Sequence, residues 1–428
     1  MAEYLYLWAL FLMTVLEPLS FEYQADAFSE KDVQPIYIAA IDIGTNSTHL
    51  LIALINPLLN TFNIEIAEKS TTRLGEMDPE SGELTQAAMD RVIDTLSRFK
   101  ELAASYKAKE ILTAATSAVR EAPNGQYFLG RIKETLDINV DLISGTEEAR
   151  LIYLGVLSGM SFDSTPHIII DIGGGSTELI LADGNDARAL TSTKIGAVRL
   201  QRDFIDNEPI SMQGKEFLKA YIQGYLEQAV DKIKSRIYPE EEPLLVATSG
   251  TAMALGALVA AENSSRNIKL QGYSFSKINL DHILNSLLQM SPSQRKKLPT
   301  LNERRAEIIV PGGLILQTSM RLLGVNNVTL SERALREGLI VDWMIRHGFL
   351  EDRFSYQKTI RERTVMHQME RFSVDQIRAE NVAKHALSLY ESTRDVLHSD
   401  TGQGRDLLWA AAMLHACGKH INRSAYHK

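Results

Sequence analysis

The 428-residue sequence contains a single cysteine, Cys417, and has no surplus of basic residues. One cysteine excludes an internal disulfide and any metal site built from several thiolates, which is typical of a reducing cytoplasm. The formal net charge of -9 argues against general nucleic-acid binding, which a basic surplus usually accompanies. A content of 45% hydrophobic and 23% charged residues predicts a soluble globular protein with two or three domains. An anionic small-molecule substrate stays compatible with this composition, because a local cluster of Arg and Lys is enough to bind one.

The sequence also lacks an N-terminal hydrophobic run of membrane-spanning length. Residues 4–16 are apolar except for Thr14, but a transmembrane helix needs about 20 such residues. Glu3 is the one early charge, so the positive start of a signal peptide is missing. We therefore interpret residues 1–34 as an extension outside the fold of a cytoplasmic protein. Peripheral membrane contact through residues 4–16 is the alternative.

Short apolar strands alternate with amphipathic helices through most of the remaining chain. The first set predicts strands at 36–42, 48–56, 62–72, 110–115 and 140–143, and helices at 85–106, 127–136 and 147–157. The second set predicts strands at 168–172, 177–182, 189–194, 244–248 and 327–330, and helices at 214–237, 252–261, 309–323 and 332–347. From residue 352 onward only helical periodicity occurs, at 373–397 and 405–415. This order predicts α/β domains at 35–160 and 161–349 and an all-α region at 350–428.

A ten-residue segment occurs twice, 129 positions apart. Residues 41–50 are Ile-Asp-Ile-Gly-Thr-Asn-Ser-Thr-His-Leu, and residues 170–179 are Ile-Asp-Ile-Gly-Gly-Gly-Ser-Thr-Glu-Leu, so seven of ten positions are identical. Each copy is a turn between two predicted strands. We infer that two related domains face each other and that each contributes one turn to a shared site.

Both turns contain the residue types of an anion site. Glycine lets successive backbone N–H groups point into one concave surface, and each hydrogen bond to a charged oxygen stabilises by roughly 1.5–3 kcal/mol. The predicted phosphate-binding residues are Gly44, Thr45, Asn46, Ser47, Gly173, Gly174, Gly175, Ser176 and Thr177. The leading Asp42 and Asp171 would repel phosphate, so we expect them to hold Mg²⁺ or another divalent cation.

Other glycine-rich loops fit this context less well. A Walker loop needs a lysine that neither turn has, and a Rossmann loop is followed by a helix, whereas a strand is predicted after each turn. For one copy alone, a plain glycine-rich hairpin would be an equal alternative. A third loop, Ser249, Gly250 and Thr251, joins a strand to a helix and predicts either a phosphate contact or a structural cap.

These three loops resemble the phosphate-binding elements of the actin, sugar-kinase and Hsp70 superfamily. Segments 144–150 (Ser-Gly-Thr-Glu-Glu-Ala-Arg), 195–200 (Ile-Gly-Ala-Val-Arg-Leu) and 335–338 (Leu-Arg-Glu-Gly) narrow the resemblance to the exopolyphosphatase/guanosine pentaphosphatase family, over residues 36–428. The resemblance implies duplicated actin-like (ribonuclease H-like) α/β domains, an active site between them, and a homodimer.

The resemblance also implies roles for individual residues. Glu148 would be the catalytic base, Asp171 and Glu178 would serve the metal and the attacking water, and Arg120 would contact phosphate. Structural alternatives stay open at this point. Glu148 lies in the first turn of a predicted helix, where the helix dipole favours acids. Arg120 could pair with Glu121, and Glu178 could be a solvated strand residue.

Two C-terminal features leave alternatives of their own. The basic residues 295–297 and 304–305 predict either a solvated loop or a surface that attracts a polyanion. Residues 414–418 resemble the His-Asp segment of the HD phosphohydrolase fold, but Ala416 replaces the acidic residue, so a second metal centre is not expected. The region is expected to be an incomplete HD-like domain, because the sequence ends at Lys428.

The expected function is metal-dependent release of orthophosphate from the end of inorganic polyphosphate. Removal of the 5′-phosphate from guanosine pentaphosphate is the close alternative, since both reactions need the same phosphate loops. A sugar kinase is disfavoured by Glu178 and by the Glu147–Glu148 segment. A non-catalytic protein that senses a guanosine alarmone is the alternative from a different class.

Overall fold

The computed structural model describes residues 36–57, 61–160, 162, 165–184, 186–205, 208–263, 269–298, 300–350, 365, 368–369, 372–394, 396–398 and 404–420. The chain forms two compact units, Met1–Leu350 and Glu351–Lys428. The first unit contains two mixed sheets covered by helices. We call these halves the first lobe and the second lobe. The predictions for residues 1–34 lie outside the described residues.

The first lobe has a five-stranded sheet in the order β3-β2-β1-β4-β5. Its strands are β1 (Ile36–Ile43), β2 (Thr48–Asn56), β3 (Thr61–Ser70), β4 (Glu110–Ala115) and β5 (Asp141–Leu142). Its helices are α1 (Gln86–Ser105), α2 (Ser117–Glu121), α3 (Gly125–Leu136) and α4 (Gly145–Leu157). Strand β1 pairs antiparallel with β2 and parallel with β4, so the turn after β1 lies at the centre of the sheet edge.

The second lobe repeats this plan with six strands in the order β10-β11-β9-β6-β7-β8. Its strands are β6 (His167–Ile172), β7 (Thr177–Ala182), β8 (Ala187–Thr193), β9 (Leu244–Thr248), β10 (Ser274–Ser276) and β11 (Asn327–Leu330). Its helices are α5 (Ala197–Phe204), α6 (Met212–Lys234), α7 (Ser249–Asn263), α8 (Lys277–Gln289), α9 (Pro292–Arg295), α10 (Glu303–Leu323) and α11 (Leu335–Arg346). Again the first strand pairs antiparallel with the second and parallel with a later one.

The central strands are mostly apolar because helices cover both faces of each sheet. Every residue of β6 and β7 is buried, so these strands show no polar alternation. The edge strand β3 is mostly exposed, which matches its run of polar residues. Side-chain caps begin several of the helices. For example, Ser144 Oγ accepts a hydrogen bond from the Glu147 N–H at 3.1 Å at the start of α4.

The predicted strand–turn–strand units at both repeats are confirmed, which excludes a Rossmann loop at either place. Four helices and one strand were not predicted: α2, α5, α8, α9 and β10. The β5 strand has two residues rather than the predicted four, because only Asp141 and Leu142 pair with β4.

Two glycines let α11, at the end of the second lobe, pack closely on α4 of the first. A Cβ on Gly155 would lie 1.8 Å from the Ala334 oxygen, and one on Gly338 would lie 1.8 Å from the Leu151 oxygen. Any larger residue at either position would push the helices apart. This contact explains the glycine of the Leu-Arg-Glu-Gly segment and places the start of α11 beside the first lobe.

The second unit is helical where it is described. Helices α12 (Gln376–Thr393) and α13 (Gly404–Met413) pack together, and a 3₁₀ turn follows at Cys417–His420. A small core holds them, formed by Val365, Met369, Ala379, Ala383, Ala412 and Met413. His415 Nδ1 lies 2.7 Å from the Ala412 oxygen. Among the described residues, no helix is long and apolar enough to cross a membrane.

Candidate active site

The two repeated turns have the same backbone closure. The Gly44 N–H donates to the Ser47 oxygen at 3.1 Å, and the Gly173 N–H donates to the Ser176 oxygen at 3.0 Å. The turns also contact each other, since a Cβ on Gly174 would lie 2.9 Å from Cβ of Thr45. Two strand–turn–strand units therefore meet with their turns facing, as the repeat predicts.

The third loop contributes a strained residue beside the second turn. Ser249 has φ +79°, a left-handed conformation that is rare outside glycine, and its hydroxyl donates to the Ile172 oxygen at 2.9 Å. This bond fixes the start of α7 against the end of β6. Strain of this kind persists where surrounding contacts hold the backbone, and it clusters at functional sites.

One cavity of about 360 Å³ lies between the lobes and is lined by all three loops. Of the predicted site residues, twelve line it: Asp42, Gly44, Thr45, Asn46, Ser47, Glu148, Asp171, Gly173, Gly174, Ser176, Ser249 and Gly250. A volume of this size is within the range of small-ligand pockets. The structure thus brings most of the predicted phosphate site together in one place.

The other five predicted residues lie behind this lining. Glu178 is buried below it, and Gly175 packs against Ser117. The Thr177 hydroxyl donates to the Ile195 oxygen at 2.8 Å, and Thr251 Oγ1 accepts a hydrogen bond from Arg305 at 3.4 Å. The hydroxyl hydrogen of Thr177 is therefore used inside the second lobe.

Arg120, the fifth of these residues, braces Glu148 from the first lobe. Its Nη1 donates to the Ile143 oxygen at 2.8 Å and lies 3.3 Å from Oε2 of Glu148. The alternative in which Arg120 pairs with Glu121 does not occur. Glu121 instead pairs with Arg199, at 2.8 Å. Arg120 therefore connects the Ile143 backbone oxygen to the Glu148 carboxylate, which lines the cavity.

Two aspartates, one from the strand before each turn, line the cavity. Burial raises the pKa of Asp42 to about 6, partly offset by the charge of Arg336. Burial and the neighbouring Asp42 raise the pKa of Asp171 to about 7. The two central strands thus hold their leading carboxylates close enough to repel each other.

Two glutamates complete the acidic group. Burial raises the pKa of Glu148 to about 8, and the Arg120 guanidinium opposes this shift. Burial and the Glu148 charge raise the pKa of Glu178 well above its usual range, although Ser192 donates a hydrogen bond to its Oε1 at 2.8 Å. Four carboxylates that disfavour each other's ionisation form an environment that a positive charge would stabilise.

This group fits a divalent cation. Oδ1 of Asp42 is buried and receives no hydrogen bond from any described residue, so one oxygen ligand is available. In the described part of the chain, no three His, Cys, Asp or Glu side chains are spaced to enclose a metal ion by themselves. A cation here would therefore need phosphate oxygens and waters to complete its shell, which is how Mg²⁺ is usually bound in phosphoryl-transfer sites.

A cationic group that the sequence analysis missed also lines the cavity. It consists of Lys69 from β3, Arg305 from α10 and Arg336 from α11, with His49 of β2 beside them. Burial and the three neighbouring cations hold the pKa of His49 well below its usual range, so this ring is neutral at pH 7. Arg305 lies in the predicted basic run, Arg336 in the Leu-Arg-Glu-Gly segment and His49 in the repeat, but no pattern in the sequence indicates that they meet Lys69.

The two interpretations of that basic run are both wrong for Arg295. Its side chain is buried, forms an ion pair with Glu208, and donates from Nη1 to the Ala306 oxygen at 2.9 Å. Lys296 pairs with Glu307 at 3.4 Å. Arg295 is therefore a structural residue that fixes the approach to α10. Only Arg305 of the run lines the cavity.

Comparison with known proteins gives the same family over nearly the whole described chain. The model of the Ppx/GppA phosphatase family matches residues 51–347, and the model of Ppx/GppA phosphatase domain III matches residues 360–428. The chain is 32% identical over 400 residues to a guanosine-5′-triphosphate,3′-diphosphate pyrophosphatase of Photobacterium profundum, covering 91% of this chain and 73% of the relative. It is 30% identical over 310 residues to exopolyphosphatase 1 of Mycobacterium leprae, covering 71% and 88%.

Solved structures extend the likeness to the fold. A crystal structure of an exopolyphosphatase from Cytophaga hutchinsonii matches with a TM-score of 0.67 and 28% identity, covering 73% of this chain and 98% of that one. The Aquifex aeolicus member of the Ppx/GppA family matches with a TM-score of 0.62 and 25% identity, covering 73% and 99%. The predicted duplicated actin-like fold is thus confirmed, and the chain belongs to the Ppx/GppA phosphatase family.

Proposed function

We propose that this protein is an exopolyphosphatase that hydrolyses the terminal phosphoanhydride bond of inorganic polyphosphate and releases orthophosphate. The observation that carries the proposal is the cavity in which two matched turns meet the carboxylates of Asp42, Glu148 and Asp171, with Glu178 buried behind the lining. The turns offer donors to a phosphate, and the carboxylates offer a base and a cation site. Relatives that carry the name exopolyphosphatase share this family and fold.

In this proposal the terminal phosphate lies between the turns. Backbone N–H groups and hydroxyls of Thr45, Ser47 and Ser176 would hold its oxygens, because these residues line the cavity and a phosphate accepts several such bonds. Asp42, Asp171 and Glu178 would hold Mg²⁺ together with phosphate oxygens and waters. When bound, Mg²⁺ neutralises phosphate charge and so lowers the barrier to attack by an anion or a water.

Glu148 would act as the general base. It would orient a water toward the terminal phosphorus and take its proton, while the bond from that phosphorus to the bridging oxygen breaks and the shortened chain leaves. Arg120 would keep Glu148 in position from behind. General-base assistance typically contributes about 10²–10⁴-fold, and positioning with charge neutralisation supplies the rest. Glu178 would help Glu148 to orient this water.

Removal of the 5′-phosphate from guanosine pentaphosphate is the second candidate. It is favoured by the Photobacterium relative named for that activity, which matches over 91% of the chain. Both substrates present a terminal phosphoanhydride to the same turns. We expect the protein to act in the cytoplasm as a homodimer in either case.

The test is orthophosphate release with Mg²⁺, measured side by side on long-chain polyphosphate, guanosine pentaphosphate and ATP. Faster release from polyphosphate would support the first candidate, and preference for the pentaphosphate would support the second. Release that a chelator abolishes and Mg²⁺ restores would support the cation. Binding of a guanosine nucleotide without turnover by the folded protein would contradict both and favour a sensor.

A further inference from the structure

A row of three side chains crosses the first sheet from its centre to its edge. Asp42 of β1 lies opposite His49 of β2, and His49 lies opposite Lys69 of β3. Directly paired residues of antiparallel strands have their side chains on one face of the sheet. All three residues line the cavity between the lobes, so the row forms part of its wall.

Lys69 stands at the mouth of the cavity without a described counter-charge. Part of the residue is exposed at the sheet edge, and it forms no ion pair with any other residue that the structure describes. Partial burial and the nearby Arg305 and Arg336 lower the pKa of its ammonium to about 8. Lys69, Arg305 and Arg336 repel one another. We expect them to bind an anion, because a bound negative charge would relieve this repulsion.

The order of the strands shows where Lys69 lies relative to the proposed base, Glu148. Glu148 and Arg120 lie on the side of β1 where β4 and β5 are found, since α2 follows β4 and α4 follows β5. Lys69 lies on the other side, two strands away from Asp42, which is about 10 Å at the usual strand spacing. The proposed base and Lys69 thus lie on opposite sides of β1.

In phosphoryl transfer the attacking oxygen and the leaving oxygen lie roughly in line through the phosphorus. A water held by Glu148 on the β4 side places the leaving oxygen on the β3 side. We propose that Lys69 binds the phosphate adjacent to the scissile bond, so that the substrate chain leaves the cavity over the edge of β3. This inference rests on the proposed function and adds the direction of the bound substrate and the residue that fixes it.

The experiment measures binding rather than turnover, in a Glu148→Gln background with Mg²⁺ present. Orthophosphate and tripolyphosphate are titrated into the parent protein and into a Lys69→Met variant, which keeps the length of the side chain but removes its charge. We expect Lys69→Met to weaken tripolyphosphate binding by about 10- to 100-fold, as for one charge-assisted hydrogen bond, and to change orthophosphate binding less than about twofold. Orthophosphate has only the terminal group and should not reach Lys69.

Two further variants control this result. Lys69→Arg should recover most of the tripolyphosphate affinity, and Lys234→Ala, at an exposed lysine of α6, should leave both affinities unchanged. Unfolding temperatures of all variants should agree, because Lys69 lies on an exposed edge strand. Equal weakening for both ligands, no weakening for either, or no tripolyphosphate binding by the parent would overturn the inference. Failure of the proposed function would appear separately, as absence of orthophosphate release by the wild-type protein.

Discussion

The two lobes carry the same turn, but the strands beside the turns carry opposite chemistry. In the first lobe the row across the sheet is Asp42, His49 and Lys69. In the second lobe the corresponding row is Asp171, Glu178 and Ser192. The turns close with the same hydrogen bond, so the duplicated part of the site is its set of backbone donors.

What differs is the position directly after the shared Ser-Thr pair, which is His49 in one copy and Glu178 in the other. In the first lobe the residue at this position, His49, lies beside Lys69, Arg305 and Arg336. In the second lobe the residue is Glu178, which adds a carboxylate to the acidic group. A symmetric scaffold thereby becomes an asymmetric cavity, in which a carboxylate follows one turn and a histidine beside cations follows the other. A duplicated fold therefore needs few changes to distinguish the two ends of a substrate.

Loss of the proposed base is the strongest way to test the acidic group. Glu148→Gln should lower orthophosphate release by about 10²–10⁴-fold, because the amide keeps the shape of the side chain but cannot take a proton. The neighbouring Glu147 pairs with Arg150 at 2.7 Å and lies outside the cavity lining, so Glu147→Gln is a matched control. Near-normal release by Glu148→Gln would remove Glu148 from the catalytic role.

Changing the first row into a copy of the second tests the cationic group. His49→Glu would place a carboxylate beside Lys69, Arg305 and Arg336, neutralise them and repel the substrate. We expect KM for polyphosphate to rise at least about tenfold, with a smaller change in kcat. His49→Gln should stay close to wild type, since the buried ring is already neutral. Equal effects of both variants would mean that packing, not charge, matters at this position.

The sequence predicted the lobes and turns well because both depend on local patterns. The repeat at residues 41–50 and 170–179 identified the two facing turns, and apolar runs predicted β1 and β6, which are buried on both faces. Prediction failed for the segment that contains α8 and α9, where short capped helices follow one another without a long periodic pattern. In this segment the buried pair of Arg295 with Glu208 is a long-range contact that no local pattern encodes.

The cationic group of the site was missed for a related reason. Lys69, Arg305 and Arg336 come from a strand and two helices that are far apart in sequence, and no local pattern links the three. Only pairing of β2 with β3 and the close packing of α11 on α4 bring them to one cavity. A sequence motif can reveal only residues that are close together in the sequence, whereas these three cations come together only in the folded structure.

The aspartate that precedes the second turn, Asp171, allows a test of stability as a function of pH. Burial and Asp42 raise the pKa of Asp171 above its value in the unfolded chain, so its contribution to stability is present at low pH and is lost as the pH rises through about 7. At pH 8 without divalent cation, Asp171→Asn should therefore increase the free energy of unfolding by roughly 1–3 kcal/mol. The increase should shrink towards pH 5, and denaturant unfolding at both pH values measures it.

A matched control for this experiment is Asp231→Asn on the exposed side of α6, which should have no effect at either pH. Mg²⁺ should reverse the order of stability at pH 8, because it binds the ionised carboxylates of the wild type and not the amide. An Asp171→Asn protein that is less stable than wild type at pH 8 without cation would contradict the raised pKa.

The smallest expected effect distinguishes the ends of the two rows. Ser192 donates a hydrogen bond to Oε1 of Glu178 at 2.8 Å and so opposes the burial that raises the pKa of this carboxyl. Ser192→Ala removes that bond, and the pKa of Glu178 should rise further. If Glu178 must be ionised for the reaction, the acid limb of the rate profile will move to higher pH, and release at pH 7 will fall several-fold. Ser192→Thr keeps the donor and should stay near wild type. An unchanged pH profile in Ser192→Ala would mean that the reaction does not depend on the ionisation of Glu178. The side chain of Glu178 would then contribute through its position and not through its charge.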